Sequence, residues 1–302
     1  MYHVQSDKEP ILQRSTINLT LDPDASIDLH MHTTYSDGRW PAEQLINYLV
    51  AESFHLASIT DHDRVDTVAS IQQLATQQNF PILAGVEVST EWKSKGKMGH
   101  VLCYGFDPEC SHLKDVTDKV RRHQLEHTHK VYNWLLSGDY KIPHLKEILA
   151  AIGDKLSQSA DNSLLQRLMH VYKVPWQAVL RMLREAGFSS FLADMAETVD
   201  AAHRSGAVCL LAHPGRRERG FTFYDTALLD QLRAEIPLDG LEVYHPFHSP
   251  EIINTYLEYV RKHNLLLSTG SDSHSLPDRM PIKYRAEISR ELLERVGIQV
   301  GT

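Results

Sequence analysis

The chain has 302 residues, 42% hydrophobic and 23% charged, with a formal net charge of −8, the balance of an ordinary soluble globular protein. An acidic surplus argues against broad affinity for nucleic acid, and no apolar stretch approaches the roughly 20 residues needed to cross a bilayer. The amino terminus, MYHVQSDKEPILQRST, lacks the apolar region of a signal peptide, so a cytoplasmic location is expected, and Cys103, Cys110 and Cys209 are too few for a disulfide framework.

Residues 1–21 carry no chemical signal. Short β-type runs follow at 27–32, 56–60, 82–89, 100–106, 208–212, 240–245 and 265–269. In the first run Asp28, His30 and His32 share one face, because side chains alternate along a strand. Pro41 suits the first turn of a helix carrying Leu45, Ile46, Leu49 and Val50. Asp63 and Asp66 are expected to cap the helix after TDHD, with bracing of the neighbouring histidine as an alternative for Asp63.

Residues 93–99 join the third and fourth runs and are too few for a helical crossover. An antiparallel hairpin is therefore expected, which returns His100 to the rim where the third run ends. Residues 108–196 lose the alternation and read as helical at 113–136, 143–152, 162–172 and 175–185. The basic run Lys119, Arg121, Arg122, His123, His127, His129 and Lys130 reads as a solvated helix face. Gly206 stops one helix and Ser249-Pro250 opens another. Cys103 and Cys209 lie in apolar runs, as buried, inert thiols would.

Repeated βα units predict an α/β fold with a largely parallel sheet, and about seven of them favour a barrel whose site lies at the carboxyl ends of the strands. The expected divisions are an extension (1–21), a first barrel part (22–107), a helical insertion able to cap the rim (108–196) and a second barrel part (197–302).

The histidines and carboxylates concentrate at those strand ends, in DLHMH (28–32), TDHD (60–63), AHPGR (212–216) and GSDSH (270–274), with Glu87 in GVEVS and His100 beside them. A lone H-x-H is a weak signal. Several independent strand ends offering the same nitrogen and hard-oxygen donors, without thiolate, point to Zn²⁺, Mn²⁺ or Fe²⁺.

The segments DLHMHTTYSDG, ITDHD, GVEVS, AHPGR and GSDSH resemble the hallmarks of the PHP (polymerase and histidinol phosphatase) superfamily, nearest to its nucleoside 3′,5′-bisphosphate phosphatase and 5′–3′ exoribonuclease subgroup. The resemblance implies a distorted seven-stranded β/α barrel with two or three divalent metals. It assigns His30, His32, Glu87 and Asp272 to one metal. Glu87 would bridge to a second, completed by His100 and His213, while Asp37, His62 and His274 would hold a third.

The resemblance also implies a metal-dependent phosphoesterase. A hydroxide held between the metals would attack a phosphomonoester, a nucleotide or nucleoside bisphosphate. A 5′–3′ exonuclease on short RNA or DNA is the alternative, and a non-catalytic metal-binding scaffold is the alternative of another class. Arg216 in HPGR is expected to grip phosphate, acting in both binding and catalysis. His245 and His248 would contact substrate or protonate the leaving group, with His248, further into the loop, preferred. The relatives' T-R-x-H-F-x-R pattern for a second phosphate has its best counterpart at 161–167, where only Arg167 matches. The expected partner is a small phosphorylated substrate or a short oligonucleotide, with neither a membrane nor a protein partner indicated.

Overall fold

The structure, a computed structural model, describes residues 19–137, 173–187, 191–218, 221–277 and 279–302. Strands β1 (Thr20–Leu21), β2 (Ser26–Asp28) and β3 (Leu56–Ala57) precede β4 (Gly85–Trp92) and β5 (Lys97–Tyr104), with helices α1 (Ala42–Ala51) and α2 (Val65–Thr76) between them. Helices α3 (Ser111–Ser137) and α4 (Trp176–Glu185) lead to β6 (Ala193–Asp194), α5 (Met195–Arg204) and β7 (Val208–Leu211). Then come α6 (Thr226–Glu235), β8 (Gly240–Tyr244), α7 (Pro250–His263), β9 (Leu266–Thr269), β10 (Tyr284–Arg285), α8 (Arg290–Arg295) and β11 (Gln299–Val300).

The fold is mixed α/β. A six-stranded sheet runs β6-β4-β5-β7-β8-β9, a three-stranded one β10-β2-β3, and β1 pairs with β11. β4 and β5 form the expected antiparallel hairpin, with Ser89 opposite His100. β5 is also antiparallel to β7, whereas β7, β8 and β9 are parallel.

Alternation along these strands buries both faces, as in sheets covered on both sides. Val86, Val88, Val101, Cys103, Cys209 and Leu211 pack with Val199, Leu229, Leu232 and Tyr256 from the helices. Leu102, Tyr104, Val208, Leu210 and Leu266 turn the other way and meet Ile27, Leu29 and Leu56. Each such fully buried aliphatic side chain contributes about 1.5–3 kcal/mol relative to exposure. Towards the strand ends this second face becomes polar, with Glu87 and Glu242 fully buried. Cys103 and Cys209 are buried neighbours in register, their free thiols 3.9 Å apart.

Several expectations need correction. The runs at 27–32 and 56–60 contribute only short ladders. Beyond Asp28 the backbone donor of His30 turns to the Asp28 carboxylate at 3.2 Å rather than to a neighbouring strand. Isolated parallel bridges, Met31 with Ser273, Ala57 with Ile82 and His62 with Glu87, continue the association. β6 lies within the stretch read as almost wholly helical, beyond the helix read at 175–185, and pairs with β4; two residues are too few to show alternation. The amino half of α3 sends Leu113, Val116 and Val120 into the sheet–helix core.

The basic run on α3 is largely solvated as expected, Lys119, Arg122, His129 and Lys130 being exposed, while Arg121 is half-buried and pairs with Asp66. Neither Asp63 nor Asp66 caps α2, which has no side-chain cap. Asp63 adopts φ +56° and accepts from Ser89 N at 3.0 Å, while Asp66 accepts from Arg64. Ser249 does cap α7, accepting from Ile252 N. The helices read at 143–152 and 162–172, and Arg167, lie outside the described residues. No helix among those described is long and apolar enough to cross a membrane.

Candidate metal centre

The polar ends of these strands converge on Glu87. Its Oε2 lies 3.0 Å from His30 Nε2, 3.1 Å from His32 Nε2 and 3.4 Å from His62 Nε2. Its Oε1 lies 2.8 Å from His100 Nδ1 and 2.9 Å from His213 Nε2. One carboxylate thus divides five imidazoles between its two oxygens. The hairpin supplies His100, because the start of β5 lies beside the end of β4.

Two further carboxylates complete the ring. Asp272 Oδ1 is 3.2 Å from His32 Nε2 and 3.7 Å from His30 Nε2. Asp37 Oδ2 is 3.0 Å from His274 Nε2 and 3.9 Å from His62 Nε2. Three groups with donor atoms mutually within 4.8 Å result: His30–His32–Glu87–Asp272, His62–Glu87–His100, and His32–Asp37–His62–His274. All nine positions singled out in the sequence meet here.

Backbone and buried carboxylates hold the cage. The loop bearing Asp37 is pinned by Asp61, which accepts from Thr33 N at 2.7 Å and Ser36 Oγ at 2.7 Å. Asp28 accepts from Ser271 N at 3.0 Å and Ile282 N at 2.9 Å, tying the first strand run to the last. His213 and Asp272 sit at φ +30° and +49°. Such conformations cost non-glycine residues about 1–3 kcal/mol each and persist where their surroundings enforce them. Here Glu242 accepts from His213 N at 2.7 Å. Gly270 must be glycine, since a Cβ would lie 2.2 Å from His30 Cβ and 2.6 Å from Glu242 Oε1.

The electrostatics suit cation binding. Burial pushes the Glu87, Asp272 and Asp37 carboxyls up, but the surrounding histidines outweigh it and hold all three below the usual carboxylate range. Burial lowers His62 to about 4 and His213 to about 3, so both are neutral at physiological pH. For His30, burial is outweighed by Glu242 and Glu87; for His32, by Asp272, Glu87 and Asp37, which raise it to about 10. Ionised carboxylates and neutral imidazoles are the forms that ligate metals, so a cation bound by His30 and His32 would displace their protons. His62 Nδ1, moreover, is buried without a hydrogen-bond partner. The donor set fits divalent cations, and nothing in it selects one metal.

Arg216 rests 3.7 Å over the Phe221 ring, with Nη1 3.3 Å from Asp272 Oδ2. His245 Nε2 is 3.4 Å from the same oxygen, and its Nδ1 accepts from Phe247 N. His248 is placed differently: Nδ1 faces Val243 O at 2.9 Å and Nε2 accepts from Gly215 N at 3.0 Å, so both ring nitrogens are occupied away from the cage. Sequence reasoning missed Glu242, Asp28 and Asp61 as braces, and Arg279, which contacts both the carboxylate and the carbonyl oxygen of Asp272. A lone carboxylate in the apolar run GLEVY was the available signal for Glu242.

This cage on an α/β scaffold defines a hydrolase of the metal-dependent phosphoesterase class. Residues 28–188 match the PHP domain family, and the chain belongs to it. A 3′,5′-nucleoside bisphosphate phosphatase of Chromobacterium violaceum is 26% identical over 263 residues, covering 83% of this chain and 88% of its own. The 5′-3′ exoribonuclease Rnm of Escherichia coli is 26% identical over 298 residues, covering 90% and 91%. A crystal structure from Bifidobacterium adolescentis, named for a metal-dependent phosphoesterase, superposes with a TM-score of 0.70 at 23% identity, covering 93% of this chain and 97% of its own.

Proposed function

We propose that this PHP-family enzyme removes phosphate from a small phosphomonoester of the nucleotide type. The observation that carries the reading is Glu87, whose two oxygens each have their own set of histidines. A carboxylate so placed can serve two cations and offset their mutual repulsion. His30, His32, Glu87 and Asp272 would hold one ion, Glu87, His100 and His213 a second, and Asp37, His62 and His274 a third. Manganese, zinc and iron all suit such donors.

We read β2, β3, β4, β5, β7, β8 and β9 as one distorted seven-stranded barrel. The isolated bridges and the bonds Leu29 N to Thr269 O and His32 N to Ser273 O support closure. Residues 22–107 and 197–302 would form it, with 1–21 as an extension and 108–196 as an insertion. The location we assign is the cytoplasm.

Bound cations supply Lewis acidity and make water nucleophilic at neutral pH. Arg216, stacked on Phe221, offers its remaining N–H groups to phosphate oxygens. Because Phe247 N donates to His245 Nδ1, the His245 proton sits on Nε2, facing the cage. That N–H can donate a hydrogen bond to a phosphate or leaving-group oxygen. His248, with both nitrogens engaged, is assigned to holding the HPGR turn instead.

A 5′–3′ exonuclease on short RNA or DNA ends is the second reading, supported by the exoribonuclease relatives. The net charge of −8 favours the smaller substrate, since long polyanions are usually held in extended basic grooves. Phosphate release from adenosine 3′,5′-bisphosphate, para-nitrophenyl phosphate and a 5′-phosphorylated oligoribonucleotide separates the two. Hydrolysis of the bisphosphate is expected. Trimming of the oligonucleotide with no action on either small ester would overturn the assignment.

A further inference from the structure

Phe247 is 45% exposed beside a cage of buried polar groups. Two guanidinium groups flank its ring, with Arg216 Cζ 5.1 Å and Arg279 Cζ 5.5 Å from the centroid. Both guanidiniums also reach Asp272 Oδ2. The Phe247 ring stands 5.5 Å from the His245 ring, and its backbone N–H fixes the tautomer of that imidazole. A half-exposed aromatic ring therefore adjoins two planar cations and the imidazole of His245. Two forked cations suit a dianionic phosphate. An exposed ring at the mouth of a polar site suits a planar group arriving with it, because stacking on an aromatic side chain tolerates any base.

We propose that Phe247, Arg279 and Arg216 form a stacking subsite for a phosphorylated substrate with a planar ring, Phe247 taking the ring and the two guanidiniums the adjoining phosphate. The proposal rests on the phosphomonoesterase reading and names the side chains that would hold the ring of its nucleotide-type substrate. Arg279 thereby becomes a second phosphate-binding arginine, contributed by the loop after GSDSH.

The test is calorimetric titration of the Mn²⁺-loaded protein with hydrolysis-resistant phosphonate analogues of adenosine 5′-monophosphate and ribose 5-phosphate, alongside phosphate release from the parent esters. Wild type should bind the adenosine analogue about tenfold more tightly than the ribose analogue. F247A should bring that ratio close to one, F247Y should retain it, and R279K should weaken both ligands several-fold. Thermal melts confirm that each variant is folded. A wild-type ratio near one, or F247A with the full ratio, overturns the subsite. Absence of hydrolysis with the ratio intact would sink the phosphomonoesterase reading and leave the subsite standing, whereas hydrolysis without ring preference would do the reverse.

Discussion

His30 donates from Nδ1 to Glu242 Oε1 at 2.8 Å, across 212 residues of sequence, and thereby turns its Nε2 towards Glu87. The other Glu242 oxygen holds the backbone of His213. One buried carboxylate thus orients two neighbouring members of the cage, and loss of such an outer partner commonly costs 10- to 100-fold in metal affinity. E242Q, which keeps the shape but not the charge, should weaken metal binding by about 10- to 100-fold. Competitive titration against a chromogenic chelator measures this, and an unchanged affinity would remove Glu242 from the metal-orienting role.

Chelation should destabilise the protein without unfolding it, because the apolar faces of the sheet are packed independently of any ion. Restoring free metal to a hundred times its dissociation constant should recover about 2.7 kcal/mol. In differential scanning calorimetry the melting temperature should rise with metal concentration and level off only logarithmically. A melting temperature indifferent to metal would refute binding at the cage.

G270A forces a Cβ into the space between His30 and Glu242. Overpacking of this kind costs about 1–3 kcal/mol. The variant should melt several degrees below wild type and bind metal more weakly, since the clash falls on the brace itself. Wild-type behaviour in both measurements would show that the sheet relaxes freely at this point.

Asp66 links α2 to α3 through Arg64 and Arg121. Burial pushes its carboxyl up, but the two arginines outweigh that and hold it below the usual range. Because the folded value lies below the unfolded one near 4, the stabilisation is present above that pH and fades as pH falls through the folded value. D66N should lose about 0.5–1 kcal/mol at pH 7, the pair being partly exposed and screened. Urea melts at pH 7 and near pH 3 should show the gap to wild type closing at the lower pH.

The cage was legible because its chemistry sits in short local segments, and packing alone does not place histidines and carboxylates at one strand end after another. Its braces were not. Glu242 occupies one position in an apolar strand, where alternation alone accounts for a polar side chain. Arg279 and Phe247 lie in loops, and only the packed structure brings Arg279 to Asp272 and the two residues to each other. The capping role read for Asp63 failed because a positive φ turns its carboxylate to Ser89 on β4 instead of to the following helix. β6 escaped notice for want of length, and β2 ends early because the backbone donor of His30 turns to the Asp28 carboxylate.

Asp272 stands 242 positions after His30, yet both approach the same imidazole of His32. A ribosome must therefore have synthesised nearly the whole polypeptide before the coordination sphere can close. Early-emerging histidines would meet cellular cations only as loose, exchangeable donors, and loading becomes a late event that reports on completed folding. Any truncation upstream of residue 272 would remove both Asp272 and His274 from the donor set.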